Sequence, residues 1–265
     1  MVNKDEPFAS ILERIQSADI SFPFIAKPDF GERGWMVRKI HSADGLNDYI
    51  IRINQKFIIQ EFVDLPLEFG VFYTRLPNAA TGRVTSITGK EMLFVEGDGD
   101  RSLKELILAK DRSKLQWETL KIKFKDRLDQ IPDKGERMEL GSIGNHCLGT
   151  KFLNRNDLIT DKVSQTFDEI SKGIEGFYFG RYDLRTATEE NLESGDFKVM
   201  ELNGCGAEPS HIYDPKSSVW NAYLDLIKHW NTMYTISTIN HKQGIPYTSF
   251  AEARKIYAEF KKYTK

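Results

Sequence analysis

The sequence predicts an α+β fold built in layers. Three observations lead there. Strand-like apolar runs interleave with helical periodicity along the chain. Several successive strands are separated only by short glycine- or proline-bearing turns, which makes hairpins rather than the helical crossovers of a doubly wound sheet. No internal repeat or low-complexity tract interrupts the pattern.

In chain order, Phe8, Ile11, Leu12 and Ile15 fall on one face of a short amphipathic helix. Phe22–Lys27 reads as a buried strand ending at Pro28. The turn from Asp29 to Gly34 leads to a second strand over Trp35–Ile40. Ser42 is placed to cap a helix reaching Ile53, and Lys56–Val63 is a third strand. Further strands are expected over Glu68–Arg75 and Arg83–Thr88, and helices over Leu103–Lys110 and Leu115–Leu128. The stretch Asp129–Thr160 reads as irregular. Asp161 is a helix cap for a segment ending at Ser171. Two strands follow, Phe177–Leu184 and Phe197–Leu202. Helices over Ser218–Ile236 and Ser249–Lys262 close the chain.

With 265 residues, the chain can bury a large core, and 40% hydrophobic content argues against disorder. The 37 basic and 39 acidic side chains leave a formal charge of −2, which excludes a general nucleic-acid binder. Cys147 and Cys205 lack zinc-ligand spacing and make no disulfide framework. Neither an apolar run of membrane-span length nor a signal-peptide pattern is present, so a soluble, cytoplasmic protein is expected, without membrane partners.

Chemistry concentrates in three places. Lys27-Pro-Asp-Phe-Gly-Glu-Arg-Gly34 ends a strand with a lysine and turns on Gly31 and Gly34, so main-chain N–H groups can converge on an anion. An ordinary glycine hairpin is the structural alternative. Gln60-Glu61-Phe62-Val63, followed by Glu68, offers main-chain groups to an adenine edge and a carboxylate to ribose hydroxyls; a plain strand end is the alternative. The strongest signal is Arg181-Tyr-Asp183 on one strand and Glu201-Leu-Asn203 on the next. Residues two apart on a strand share a face, so pairing of these strands would gather two carboxylates, an amide and a guanidinium. Such oxygen donors suit magnesium, and a structural Arg–Asp pair is the alternative. Beyond them, the loop Gly204–His211 is small enough for close approach of a substrate, and its N–H groups could meet an oxyanion.

In this order, the motifs resemble the ATP-grasp superfamily, and within it the D-alanine–D-alanine ligase-like carboxylate–amine ligases. The resemblance spans about residues 20–215. It implies two α+β subdomains clasping ATP: a small one over residues 1–63, a large one with the metal site over 64–240, and a C-terminal helix over 241–265. It implies that Lys27, with Gly31, Arg33 and Gly34, contacts ATP phosphates, and that Gln60, Glu61, Phe62 and Val63 hold adenine. Glu68 would take the ribose, and Lys90 would add a basic group. Asp183, Glu201 and Asn203 would bind magnesium, or manganese in its place, while Arg181, Gly204 and His146 would face the reacting groups. Val95–Ser102 resembles the Gly-Asp-Gly segment of peptide-forming members, and Gly144–Thr150 a segment of other ligase-like chains. The implied reaction joins a small-molecule carboxylate to an amine through an acyl phosphate. Ligases of this kind carry an N-terminal substrate domain, yet 26 residues precede Lys27 here. That domain is expected to be missing: either the chain is a piece of a longer protein, or a partner or a second copy supplies the surface. Two alternatives stay open: an ATP-binding module without ligase activity, and a metal-dependent phosphotransferase or hydrolase using the same carboxylates.

Overall fold

The structure, a computed structural model, describes residues 1–31, 34–141, 144 and 149–263. The fold is α+β. The chain divides into two compact units, Met1–Asp64 with Pro246–Lys265, and Leu65–Ile245.

In the first unit, α1 (Phe8–Ser17) and α2 (Ala43–Arg52) accompany a three-stranded antiparallel sheet of order β2-β1-β3, with β1 at Phe24–Pro28, β2 at Arg38–Ile40 and β3 at Phe57–Glu61. The helix α9 (Phe250–Tyr263) belongs to the same unit. Three-and-four spacing puts Ile11 and Ile15 of α1 into a core with Phe24, Ala26, Ile40, Leu46, Tyr49 and Phe57. The Ser42 hydroxyl accepts from the Gly45 amide at 3.2 Å and starts α2 as expected. The second strand is shorter than the expected Trp35–Ile40. Met36 has φ 55°, left-handed backbone that ends an extended run, and the Val37 amide donates back to the Gly34 carbonyl at 3.2 Å.

The second unit is built on a five-stranded antiparallel sheet of order β10-β9-β4-β5-β8. Its strands are β4 (Leu67–Thr74), β5 (Arg83–Glu91), β8 (Lys151–Asn154), β9 (Phe179–Thr186) and β10 (Phe197–Asn203). One face is apolar. Phe69, Val71, Tyr73, Val84, Ile87, Tyr182 and Leu184 alternate inward along three strands and meet Val163 and Phe167 of α6 (Asp161–Lys172). A short helix, α7 (Asn191–Ser194), adds Leu192 to that core. Thr160, one residue before the expected Asp161, is the cap of α6. Its hydroxyl accepts from the Val163 amide at 3.1 Å, which leaves Asp161 in the first turn.

A satellite core holds β6 (Phe94–Glu96) and β7 (Arg137–Glu139), paired antiparallel, with α3 (Leu103–Ala109), α4 (Asp111–Lys114) and α5 (Trp117–Lys123). Helix α5 is shorter than the expected Leu115–Leu128. The region expected to be irregular contains β7 and β8 (Lys151–Asn154); β8 pairs with a strand about sixty residues earlier, so its order comes from tertiary contact. Helix α8 (Val219–Lys242) runs six residues past the expected Ile236. Among the described residues, no helix is long and apolar enough to cross a membrane.

Candidate functional site

The face of the five-stranded sheet opposite α6 is polar, and register assembles it row by row. One row runs Thr88, Gly70, Asp183, Glu201 across β5, β4, β9 and β10. A second runs Lys90, Glu68, Arg185, and a third Ser86, Phe72, Arg181, Asn203. Directly opposed residues in antiparallel strands share a face, so the expected grouping of Arg181, Asp183, Glu201 and Asn203 is present.

The charges on this face are interlocked. Lys90 Nζ lies 3.0 Å from Glu68 Oε1 and 3.3 Å from Asp183 Oδ1. Arg185 Nε donates to Glu68 Oε2 at 2.9 Å. Arg181 binds Asp183 in bidentate fashion, Nε to Oδ1 and Nη2 to Oδ2, both at 3.0 Å. Asn203 Nδ2 donates to Asp183 Oδ2 at 2.9 Å. Burial pushes the Asp183 carboxyl up, but Lys90 and Arg181 outweigh it and hold it below the ordinary carboxylate range. Gly70 makes the packing feasible: a Cβ there would stand 3.1 Å from both Arg181 Cδ and Asp183 Oδ1.

The loop after β10 closes on the same group. Arg181 Nη1 donates to Ser210 Oγ at 2.8 Å and to the Glu208 carbonyl at 3.1 Å. Ser210 opens a 3-10 turn, Ser210–Tyr213, tied to α8 by His211 Nε2 and Asp225 Oδ2 at 3.1 Å. Gly204 is exposed, its carbonyl accepts from the Ala207 amide at 3.0 Å, and a Cβ there would meet open space. Gly144 lies against this face: a side chain there would collide with the Glu68 carboxylate and with Lys90 Cδ. His146 and Arg33 lie outside the described residues.

The donor types on this face are those a divalent cation takes, while both Asp183 oxygens are already engaged by Arg181, Lys90 and the Asn203 amide nitrogen. Asp183, Glu201 and the Asn203 amide are hard oxygen donors on one face, and the Asp183 charge is already balanced by Arg181 and Lys90. Magnesium needs only one or two carboxylates when phosphate and water complete its shell. The buried Thr88 hydroxyl, in the same row, has no hydrogen-bond partner among the described residues. These residues also hold no group of three or more His, Cys, Asp or Glu side chains placed for a metal. A cation would therefore have to take its remaining ligands from the molecule it accompanies.

In the first unit, Lys27 pairs with Ile58, and Ile25 with Gln60. Lys27, Gln60 and Lys39 thus share the sheet face opposite the Phe24–Ala26 core. Glu61, one residue on, falls on the other face at the strand end. Phe62 and Val63 follow β3, with Lys39 Nζ 3.4 Å from the Phe62 ring centroid. Gly31 packs near Pro28, and Gly34 has φ 73°.

The Gly97-Asp98-Gly99 segment is a turn. Asp98 Oδ1 accepts from the Asp100 and Arg101 amides at 3.1 and 2.9 Å, and Gly99 has φ 79°. Arg185 and Ser210 are participants that motif reading passed over. Arg185 had a signal: it stands two residues beyond Asp183, so the rule that aligns Arg181 with Asp183 extends to it.

No protein-family model and no curated protein sequence matches the chain. Three solved structures are similar to it. A D-alanine–D-alanine ligase from Bacillus anthracis is similar over 92% of this chain and 62% of its own, at 12% identity and a TM-score of 0.47. The VanG D-Ala:D-Ser ligase from Enterococcus faecalis covers 84% of this chain and 53% of its own, at 13% identity and 0.43. A bifunctional glutathione synthetase from Pasteurella multocida covers 83% and 32%, at 17% identity and 0.39. The chain thus spans between 32% and 62% of the length of these proteins.

Proposed function

We propose that this chain binds ATP with a divalent metal and takes part in ATP-dependent carboxylate–amine ligation of the ATP-grasp type, through an acyl phosphate. The observation that carries this reading is the interlocked set Glu68–Lys90–Asp183–Arg181, with Asn203 and Glu201 beside it on one sheet face. Lys90 bridges the two buried carboxylates, with Arg181 on Asp183 and Arg185 on Glu68, which leaves Glu201 as an exposed carboxylate beside Asp183 and Asn203. That arrangement suits a metal that arrives with a polyphosphate.

On this reading, magnesium bound with ATP would be held by Asp183, Glu201 and Asn203 and would neutralise charge on the transferred phosphoryl group. Lys90 orients Glu68 and Asp183, and Arg185 locks the other oxygen of Glu68. Arg181, held by Asp183 and Ser210, presents a fixed cation beside the loop Gly204–His211, where the carboxylate and the amine would meet. Lys27 and the glycine turn at Gly31, Arg33 and Gly34 are assigned to phosphate. The main chain of Gln60–Val63 is assigned to adenine, Glu68 to ribose, and His146 to substrate.

The experiment is Glu201→Gln, assayed for ADP release across carboxylates and amines. Turnover should fall by about 100-fold or more, above the effect of losing an outer-shell partner. The melting temperature without nucleotide should hold, because Glu201 is exposed. Unchanged ATP turnover would remove the assignment. ATP binding without ADP release under every substrate pair would leave a binding module in place of a ligase.

A further inference from the structure

Helix α8 carries a second face that its own unit does not use. Its buried face is spent on the body: His229 and Ile236 are buried, and the His229 ring sits 5.1 Å from Phe72 and 4.9 Å from Phe179, centroid to centroid. The other face presents Trp220, Tyr223, Ile227, Trp230 and Tyr234, at steps of three, four, three and four residues. That is the seam spacing of paired helices. Leu224 widens it. Trp220 is 79% and Tyr234 72% exposed, and the other four are each more than half exposed. At about 150–250 Å² for an aromatic side chain, the stripe leaves roughly 800 Å² of mainly apolar surface in water. A typical monomer patch is smaller, at about 300–600 Å². A standard interface takes about 800 Å² from each partner.

The stripe itself indicates what covers it. Counted from Ile227, the stripe is apolar at three and at seven residues in both directions, Leu224 and Trp220 before it and Trp230 and Tyr234 after it, while at four residues Tyr223 stands against Asn231. A surface of that kind is self-complementary across a twofold axis. Its seam also carries no Lys, Arg, His, Asp or Glu, so a copy meets no like charge. The flanking Lys228 and Asp225 pair with each other at 3.2 Å.

We propose that α8 forms an isologous homodimer interface, two copies of the helix packing antiparallel about a twofold axis at Ile227. Ile227 meets its counterpart at the centre, and Trp220 of one protomer packs against Tyr234 of the other. The seam is about 21 Å long at 1.5 Å per residue. This inference stands independently of the ATP reading.

Sedimentation velocity over a concentration series tests it. The full chain should sediment as a dimer at micromolar concentration. Ile227→Glu, which sets two carboxylates face to face at the axis, should weaken association by about 100-fold or more while circular dichroism and melting stay as in the parent chain. A parent chain that remains monomeric to high micromolar concentration overturns the proposal, as does an Ile227→Glu chain that dimerises as well as the parent. Orientation is tested in a Cys147→Ser, Cys205→Ser background. Ile227→Cys should form a disulfide-linked dimer under mild oxidation, and Trp220→Cys should link to a Tyr234→Cys chain but not to itself. Self-linking of Trp220→Cys in its place would mean parallel pairing and overturn the arrangement.

Discussion

Lys90 places one ammonium 3.0 Å from Glu68 and 3.3 Å from Asp183, and so ties together two buried carboxylates that Arg185 and Arg181 pair with singly. The sequence marks it only through the family resemblance, as a further basic group without a stated partner. What gives it this place is β5, which sets it opposite Glu68. Asp183 makes a prediction about pH. Its carboxyl is held below the ordinary value of 3.8, so its contribution to stability is fully present above that value and is lost as pH falls through the lower folded value. Denaturant unfolding of the parent chain and of Asp183→Asn should differ by a constant amount above about pH 5 and converge in stronger acid. A gap that widens on acidification would contradict the ion-pair account. Gly70 predicts a steric effect: Gly70→Ala forces a methyl against Arg181 and Asp183, and should destabilise the chain by about 1–3 kcal/mol in equilibrium unfolding.

Elements follow their local chemistry where that chemistry is complete. Helix α2 starts at its Ser42 cap. Helix α3 starts at a capping box in which Ser102 accepts from the Glu105 amide and Glu105 accepts from the Ser102 amide. These starts were legible because the groups that satisfy a helix end lie three residues apart. The short strands β6, β7 and β8 were not. Three or four residues carry too little period to read, and their partners lie far along the chain. Helix α6 shows what a readable pattern contributes. Phe167 is fully buried, 5.1 Å from Phe197 and 5.4 Å from Tyr182 by ring centroids. Phe167→Ala should cost about 3–5 kcal/mol, checked by urea unfolding. The polar face on the other side of the sheet should lose order with it, because the same three central strands carry both faces.

For the molecule as a whole, the proposed nucleotide site predicts linkage. ATP with magnesium should raise the melting temperature, by an amount equivalent to about 2.7 kcal/mol at a hundredfold excess over the dissociation constant. Inorganic phosphate should not reproduce this, and Glu201→Gln should reduce the part that depends on metal. Calorimetry with and without chelator reads both. The sequence by itself determined the alternation that makes the sheet two-faced. It also determined that Arg181 shares a face with Asp183 and Glu201 with Asn203, since a strand's side-chain period is a local property. Tertiary structure alone decided that Lys90, Glu68 and Arg185 join them, that Gly70 leaves the space, and that Ser210 returns to hold Arg181. Those contacts join strands and loops from β4 to the segment after β10, and register between distant strands is set by the buried face as a whole rather than by any one segment.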